Sequence, residues 1–200
     1  MGTPERPYPR AASAALVDRL RRAPVVVLTG ARQTGKTTLA RSFPGAGART
    51  YLTLDALTTL DRARSAPETL VDVTAPLTID EVQRAPDLLI AVKRRVDERR
   101  RPGAFLLTGS ANLLLMKRVS ETLAGRTTPL VLRPMTPGEL RRDPRPPVWD
   151  ALLRAGSAAR AAEAIPAPEP FDWRRYALRG GFPPAALSED ESDRIAWLEG

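Results

Sequence analysis

The sequence contains no cysteine and no histidine. That excludes disulfides, Cys/His zinc sites, and Ser–His or Cys–His nucleophilic machinery. Any catalysis has to run on carboxylates, hydroxyls, lysine, arginine and a bound metal. Lysine is scarce too: Lys36, Lys93 and Lys117 are the whole set, so nearly all of the 31 basic residues are arginine. Together with the many alanines and prolines, this reads as a GC-rich coding bias. The net charge of +8 and the pI near 10.8 therefore do not by themselves point to nucleic acid. No zinc finger, RNP signature or recognition helix is legible, so a nucleic-acid partner is left open but not indicated. Long apolar runs are absent as well. No stretch approaches 18 uninterrupted apolar residues, and the N-terminus, with Glu5 and Arg6 among early prolines, lacks a signal-peptide core. No membrane association is expected, and the default location is cytoplasmic.

What is present is ordinary in bulk and specific in one place. At 200 residues, with 42% hydrophobic and 27% charged, the chain can bury one good core and at most a second small module. The specific place is residues 25–38. Val25 to Leu28 reads as a buried parallel strand, and Gly30-Ala31-Arg32-Gln33-Thr34-Gly35-Lys36-Thr37 fits G-x-x-x-x-G-K-[ST] without a mismatch. Gly30 and Gly35 let the backbone curl so that successive N–H groups point inward around phosphate oxygens. A helix starting near Lys36, continuing through Thr38, aims its positive end at the same anion. Lys36 supplies a point charge for the β- and γ-phosphates, and the Thr37 hydroxyl can ligate Mg²⁺. Such a chain binds a nucleoside triphosphate.

A second stretch, Leu77-Thr78-Ile79-Asp80-Glu81, delivers two adjacent carboxylates at the end of a strand, where ligands of open α/β sheets bind. Asp80 can hold Mg²⁺ directly or through water, and Glu81 is placed to orient and activate an attacking water. In Phe105-Leu106-Leu107-Thr108-Gly109-Ser110, the small polar groups of Thr108, Ser110 and the following Asn112 suit a γ-phosphate sensor, or equally a strand-ending turn with Asn112 as a helix cap. Arg126 and Arg118 are candidates for stabilising charge on the transferring phosphoryl group.

In chain order, residues 1–12 read as an extended arm. A helix over Ala14 to Arg22 follows, capped by Ser13. Strands are expected at Val25 to Leu28, Thr50 to Leu54, Pro76 to Ile79, Ala104 to Thr108 and Thr128 to Leu132, alternating with helices. That rhythm indicates βα units and a parallel sheet covered on both faces. The fold expected is α/β, a P-loop NTPase three-layer αβα sandwich with a parallel five-stranded sheet, plus a small, mostly helical C-terminal segment. The organisation expected is an arm (1–12), a P-loop domain (13–140), an Ala/Pro-rich linker with one short helix (141–170), and a helical start of a further region (171–200) around Gly180-Gly181-Phe182-Pro183.

Gly-Ala-Arg-Gln-Thr-Gly-Lys-Thr-Thr-Leu, Tyr-Leu-Thr-Leu-Asp, Ile-Asp-Glu-Val-Gln-Arg-Ala-Pro-Asp-Leu-Leu, Leu-Thr-Gly-Ser-Ala-Asn and Leu-Ala-Gly-Arg occur in this order. Together they resemble a family of prokaryotic AAA-type P-loop ATPases, in which the P-loop domain is followed by a C-terminal domain of unknown function. The resemblance covers residues 8–140 closely, and Gly180 to Pro183 resembles the point where members enter their C-terminal part. It implies ATP and Mg²⁺ as cofactors, Lys36 and Thr37 as phosphate and metal ligands, Asp80 and Glu81 as Walker B, Ser110 or Asn112 as sensor, and a role for Arg126. It also implies chain beyond residue 200; a homo-oligomer or a protein partner that completes the site is left open. The activity expected is Mg²⁺-dependent ATP hydrolysis of unknown process. The alternative is an ATP-dependent switch or interaction module that does not turn over.

Overall fold

The computed structural model describes residues 7–110, 113–143, 148–164 and 172–200. They fall into two compact units, one built from Ala12–Pro134 and one from Tyr8–Ala11 with Met135–Gly200. Among the described residues no helix is long and apolar enough to cross a membrane.

The first unit is laid out by its most apolar strand. In β1 (Val25–Gly30) all six residues are buried, as a strand with sheet on both sides and helices on both faces has to be. The others are β2 (Thr50–Thr53), β3 (Leu77–Asp80), β4 (Phe105–Ser110) and β5 (Thr127–Val131), in the order β2-β3-β4-β1-β5. Every pairing is parallel, with Val25 opposite both Phe105 and Thr127.

The two-residue period of the strands sorts the core into two layers. On one face Val25, Val27, Leu77, Ile79, Phe105 and Leu107 pack with apolar residues of α3 (Leu57–Ser65), α4 (Pro67–Val71), α5 (Leu88–Glu98) and α6 (Leu113–Thr122). On the other, Val26, Leu28, Leu106 and Leu130 pack with Leu16 and Leu20 of α1 (Ala12–Arg22) and Leu39 and Ala40 of α2 (Lys36–Ser42). This is the expected three-layer αβα sandwich around a five-stranded parallel sheet. The helices after the adjacent strands β1 and β4 leave to opposite faces, which opens a crevice at the carboxyl ends of the strands, where α/β sheets take ligands.

The second unit is helical. It holds α7 (Pro137–Leu140), α8 (Val148–Ala155), α9 (Ala158–Ala164), α10 (Trp173–Arg179), α11 (Pro183–Leu187) and α12 (Glu191–Glu199). Thr136 and Glu139 form a reciprocal capping box at α7. The nearly buried Glu139 carboxylate also accepts from the Ala11 N–H (2.7 Å) and pairs with Arg10 (3.3 Å), while Arg142 lies 4.0 Å from the Tyr8 ring centre. Tyr8–Ala11 is therefore part of this unit instead of a free arm, because a buried carboxylate needs those donors. The boundary expected after residue 140 falls after Pro134. Two helices, α8 and α9, occupy the stretch read as a linker with one; its six prolines, Pro144 through Pro170, lie outside the described residues.

Candidate nucleotide site

The loop leaving β1 is shaped by close contacts more than by flexibility. A Cβ on Gly30 would sit 2.3 Å from the Leu132 carbonyl oxygen, so only glycine fits where the loop crosses the end of β5. Gly35 is left-handed (φ 90°), and so is Gln33 (φ 61°), a conformation that non-glycine residues adopt at a cost of about 1 kcal/mol. Thr34 is fully buried and its hydroxyl donates to the Ala31 carbonyl (2.9 Å), pinning the inside of the curl. Arg32, Thr37 and Thr38 are exposed along it.

Lys36 opens α2 from a buried position. Its Nζ donates to the carbonyls of Gly30 (3.2 Å) and Ala31 (2.7 Å). Burial lowers its pKa; Glu81 and Asp80 pull it back up, and Arg32 adds to the lowering. The cation is thus short of negative partners, a condition that phosphate oxygens relieve.

Asp80, at the carboxyl end of β3, is 1% exposed, and its charge is met by hydroxyls from three elements. Thr37 Oγ1 donates to Oδ2 (2.8 Å), Tyr51 Oη donates to the same oxygen (2.6 Å), and Thr108 Oγ1 donates to Oδ1. Hydrogen bonds to a carboxylate are among the stronger ones a buried site can offer. Glu81, the next residue, is left-handed (φ 61°). Its N–H donates to Thr108 Oγ1 (3.3 Å) and its Oε2 accepts from Gln83 Nε2. Ser110 ends β4 in register with Gly30, half-buried beside the loop. Among the described residues no three Asp or Glu come together as a metal cluster. A hard cation here would have Thr37 and Asp80 as its protein oxygens, with phosphates and waters for the rest, the pattern typical of Mg²⁺.

Residues 22–141 match the AAA domain family. The chain belongs to that family. It is 36% identical over 193 residues to the uncharacterized proteins Mb2031c of Mycobacterium bovis and Rv2008c of Mycobacterium tuberculosis. The match takes in 96% of this chain but 37% of each relative, so the chain spans well under half the length of those proteins. In fold it is similar to the Walker-type ATPase PABY2304 of Pyrococcus abyssi, with a TM-score of 0.54 at 14% identity, over 92% of this chain and 69% of that one. The resemblance to AAA-type P-loop ATPases seen in the sequence is thereby confirmed at the level of family and fold.

Within this AAA domain Gly30, Lys36, Thr37, Asp80, Glu81 and Ser110 gather at one end of the sheet. Asn112 lies outside the described residues. Arg126 does not join them. It directly precedes β5, whose Thr127 pairs with the first residue of β1, so about 17 Å of strand separates it from the loop. There its Nε and Nη2 hold both oxygens of Asp97 (2.5 and 2.9 Å), which raises the arginine's pKa and lowers the aspartate's. The expected part for Arg126 on this chain's own nucleotide is therefore corrected: the sheet carries it to the wrong end. Arg118 instead sits 3.8 Å from Asp87, just before α5. Two residues were missed. Tyr51 carried its signal in the strand period, which puts it on the Asp80 face of the sheet; Gln83 carried none beyond its place two residues after Glu81.

Proposed function

We propose that this chain binds Mg²⁺–ATP at the Gly30–Thr37 loop and hydrolyses it. The observation that carries the reading is the hydrogen bond from Thr37 to the buried Asp80 carboxylate, with Glu81 next in the chain. It joins a phosphate loop to a metal-competent carboxylate and sets a second carboxylate beside both. Thr37 and Asp80 would hold Mg²⁺, which would supply positive charge to offset that of the phosphates. Backbone N–H groups of residues 31–35 bind phosphate oxygens, and Lys36 exchanges its carbonyl partners for the β- and γ-phosphates. Glu81 orients a water and takes its proton as the oxygen bonds to the γ-phosphorus. The bond to the β–γ bridging oxygen breaks, giving ADP and inorganic phosphate. Ser110 reports whether the γ-phosphate is present.

The position of Arg126 favours one refinement. With that guanidinium at the far end of the sheet, a second cation on the γ-phosphate comes from Arg32, from Arg118, or from another copy or partner protein. A chain that binds ATP without turning it over is the competing reading. Phosphate release from Mg²⁺–ATP, measured over a range of protein concentrations, separates the two. Glu81→Gln is expected to lose about 100-fold or more of turnover while keeping ATP binding, and Lys36→Ala to lose both. A wild type that binds ATP and releases no phosphate at any concentration sinks the hydrolase and leaves the switch.

A further inference from the structure

The face of the sheet beneath α2 is not uniformly apolar. Toward β5 it is Val26, Leu28, Leu106 and Leu130; toward the β2 edge it becomes Thr78, Asp80 and Thr108, all buried. Register places Tyr51 beside Thr78 and Thr53 beside Asp80, so Tyr51 stands diagonally from Asp80, two residues down the neighbouring strand. A diagonal of that kind is within reach only of long side chains. Tyr51 spans it and donates its hydroxyl to Asp80 Oδ2 at 2.6 Å. Its ring is held from above by Arg41 of α2, whose guanidinium carbon lies 5.0 Å from the ring centre, a cation–π distance.

An ionised carboxylate offers about four lone-pair directions. Asp80 has committed one on Oδ1 to Thr108 and two on Oδ2 to Thr37 and Tyr51. Of these donors, Thr37 is itself a candidate metal ligand, so its hydroxyl cannot be the independent fixed point for the carboxylate it helps orient. Tyr51 can be for Oδ2, as Thr108 is for Oδ1, since each belongs to another strand than the loop.

We propose that Tyr51 is a positioning residue: its hydroxyl, braced by Arg41, sets the orientation in which Asp80 receives Mg²⁺. The proposal rests on the Mg²⁺–ATP reading of this site. Tyr51 adds no ligand of its own. It holds the carboxylate plane while Thr37 turns a lone pair to the metal, and it ties the metal side of the site to the last turn of α2.

The test is a Mg²⁺ titration of the full chain with a fluorescent ATP analogue at fixed concentration, alongside nucleotide affinity in EDTA and the melting temperature. Tyr51→Phe keeps the ring and removes the hydroxyl. It should raise the Mg²⁺ concentration for half-saturation by about tenfold, the scale on which lost supports of metal ligands are felt, with EDTA affinity within about twofold of wild type. Arg41→Ala should shift the same parameter in the same direction by less, and it decides the matter if Tyr51→Phe does not fold. A merely structural tyrosine would lower the melting temperature and both affinities together. Unchanged Mg²⁺ half-saturation in either folded variant, or an equal loss in EDTA, overturns the proposal. A wild type whose ATP binding ignores Mg²⁺ overturns the reading beneath it as well, and that outcome is visible before any variant is made.

Discussion

Lys36 shows what a single buried charge does to binding. Burial lowers its pKa from 10.5, with Glu81 and Asp80 opposing and Arg32 assisting. ATP phosphates favour the ammonium form, so binding takes up a proton wherever the free chain's lysine is neutral. Affinity for ATP should therefore fall as pH rises through the lowered pKa, at a lower pH than an ordinary lysine would give. The sign for folding is opposite. Between the folded and unfolded pKa values the unfolded chain binds more protons, so the stability contributed by this group rises with pH. Nucleotide titrations at increasing alkaline pH check the first point, and Lys36→Arg, which stays charged, should lose the alkaline fall. At this scale the sequence was informative where a motif constrains spacing, as in the loop and Asp80-Glu81. The strand period gave Tyr51 its face but not Asp80 as its neighbour, which depends on which strand lies alongside, and for Gln83, a short reach across a turn, the sequence was silent.

One arginine does the joining at the level of strands and turns. Arg49, just before β2, donates from Nε to Thr78 Oγ1 (2.9 Å), from Nη2 to the Leu77 carbonyl (2.7 Å) and from Nη1 to the Gly103 carbonyl (2.7 Å). It fastens the edge strand to β3 and to the turn before β4. Burial brings its pKa down to about 10, which still leaves the guanidinium charged at neutral pH. Arg49→Ala should destabilise the chain by about 2–3 kcal/mol, read by chemical denaturation, since three acceptors lose a charged donor. The elements themselves were legible: all five strands appear within two residues of where alternation and breakers put them, because turns such as Pro102-Gly103 leave little freedom. The Ala/Pro-rich stretch was not, since alanine favours helices while the flanking prolines mask where they start.

For the whole molecule, the class of fold follows from the alternation of strands and helices, but the order of strands does not. Nothing in the chain order says that β5 returns to the far side of β1; what takes Arg126 away from the loop is its place just before a parallel strand, at the end of the sheet opposite the loop. The limit of the first unit was equally hidden. Tyr8–Ala11 and Thr136–Leu140 look like an arm and a domain end until Glu139 is seen to hold both.

The same strand order has a bearing on how the protein is made. β1 leaves the ribosome first of the five strands, yet both its neighbours, β4 and β5, are synthesised last, and the Gly30 backbone packs against Leu132. Until translation has passed that residue, the loop at Gly30 lacks the wall that the end of β5 supplies. Nascent chains arrested before Thr127 should therefore fail to retain ATP, as filter binding on stalled complexes would report, whereas the released chain retains it. Nucleotide capture would then mark the completion of the sheet.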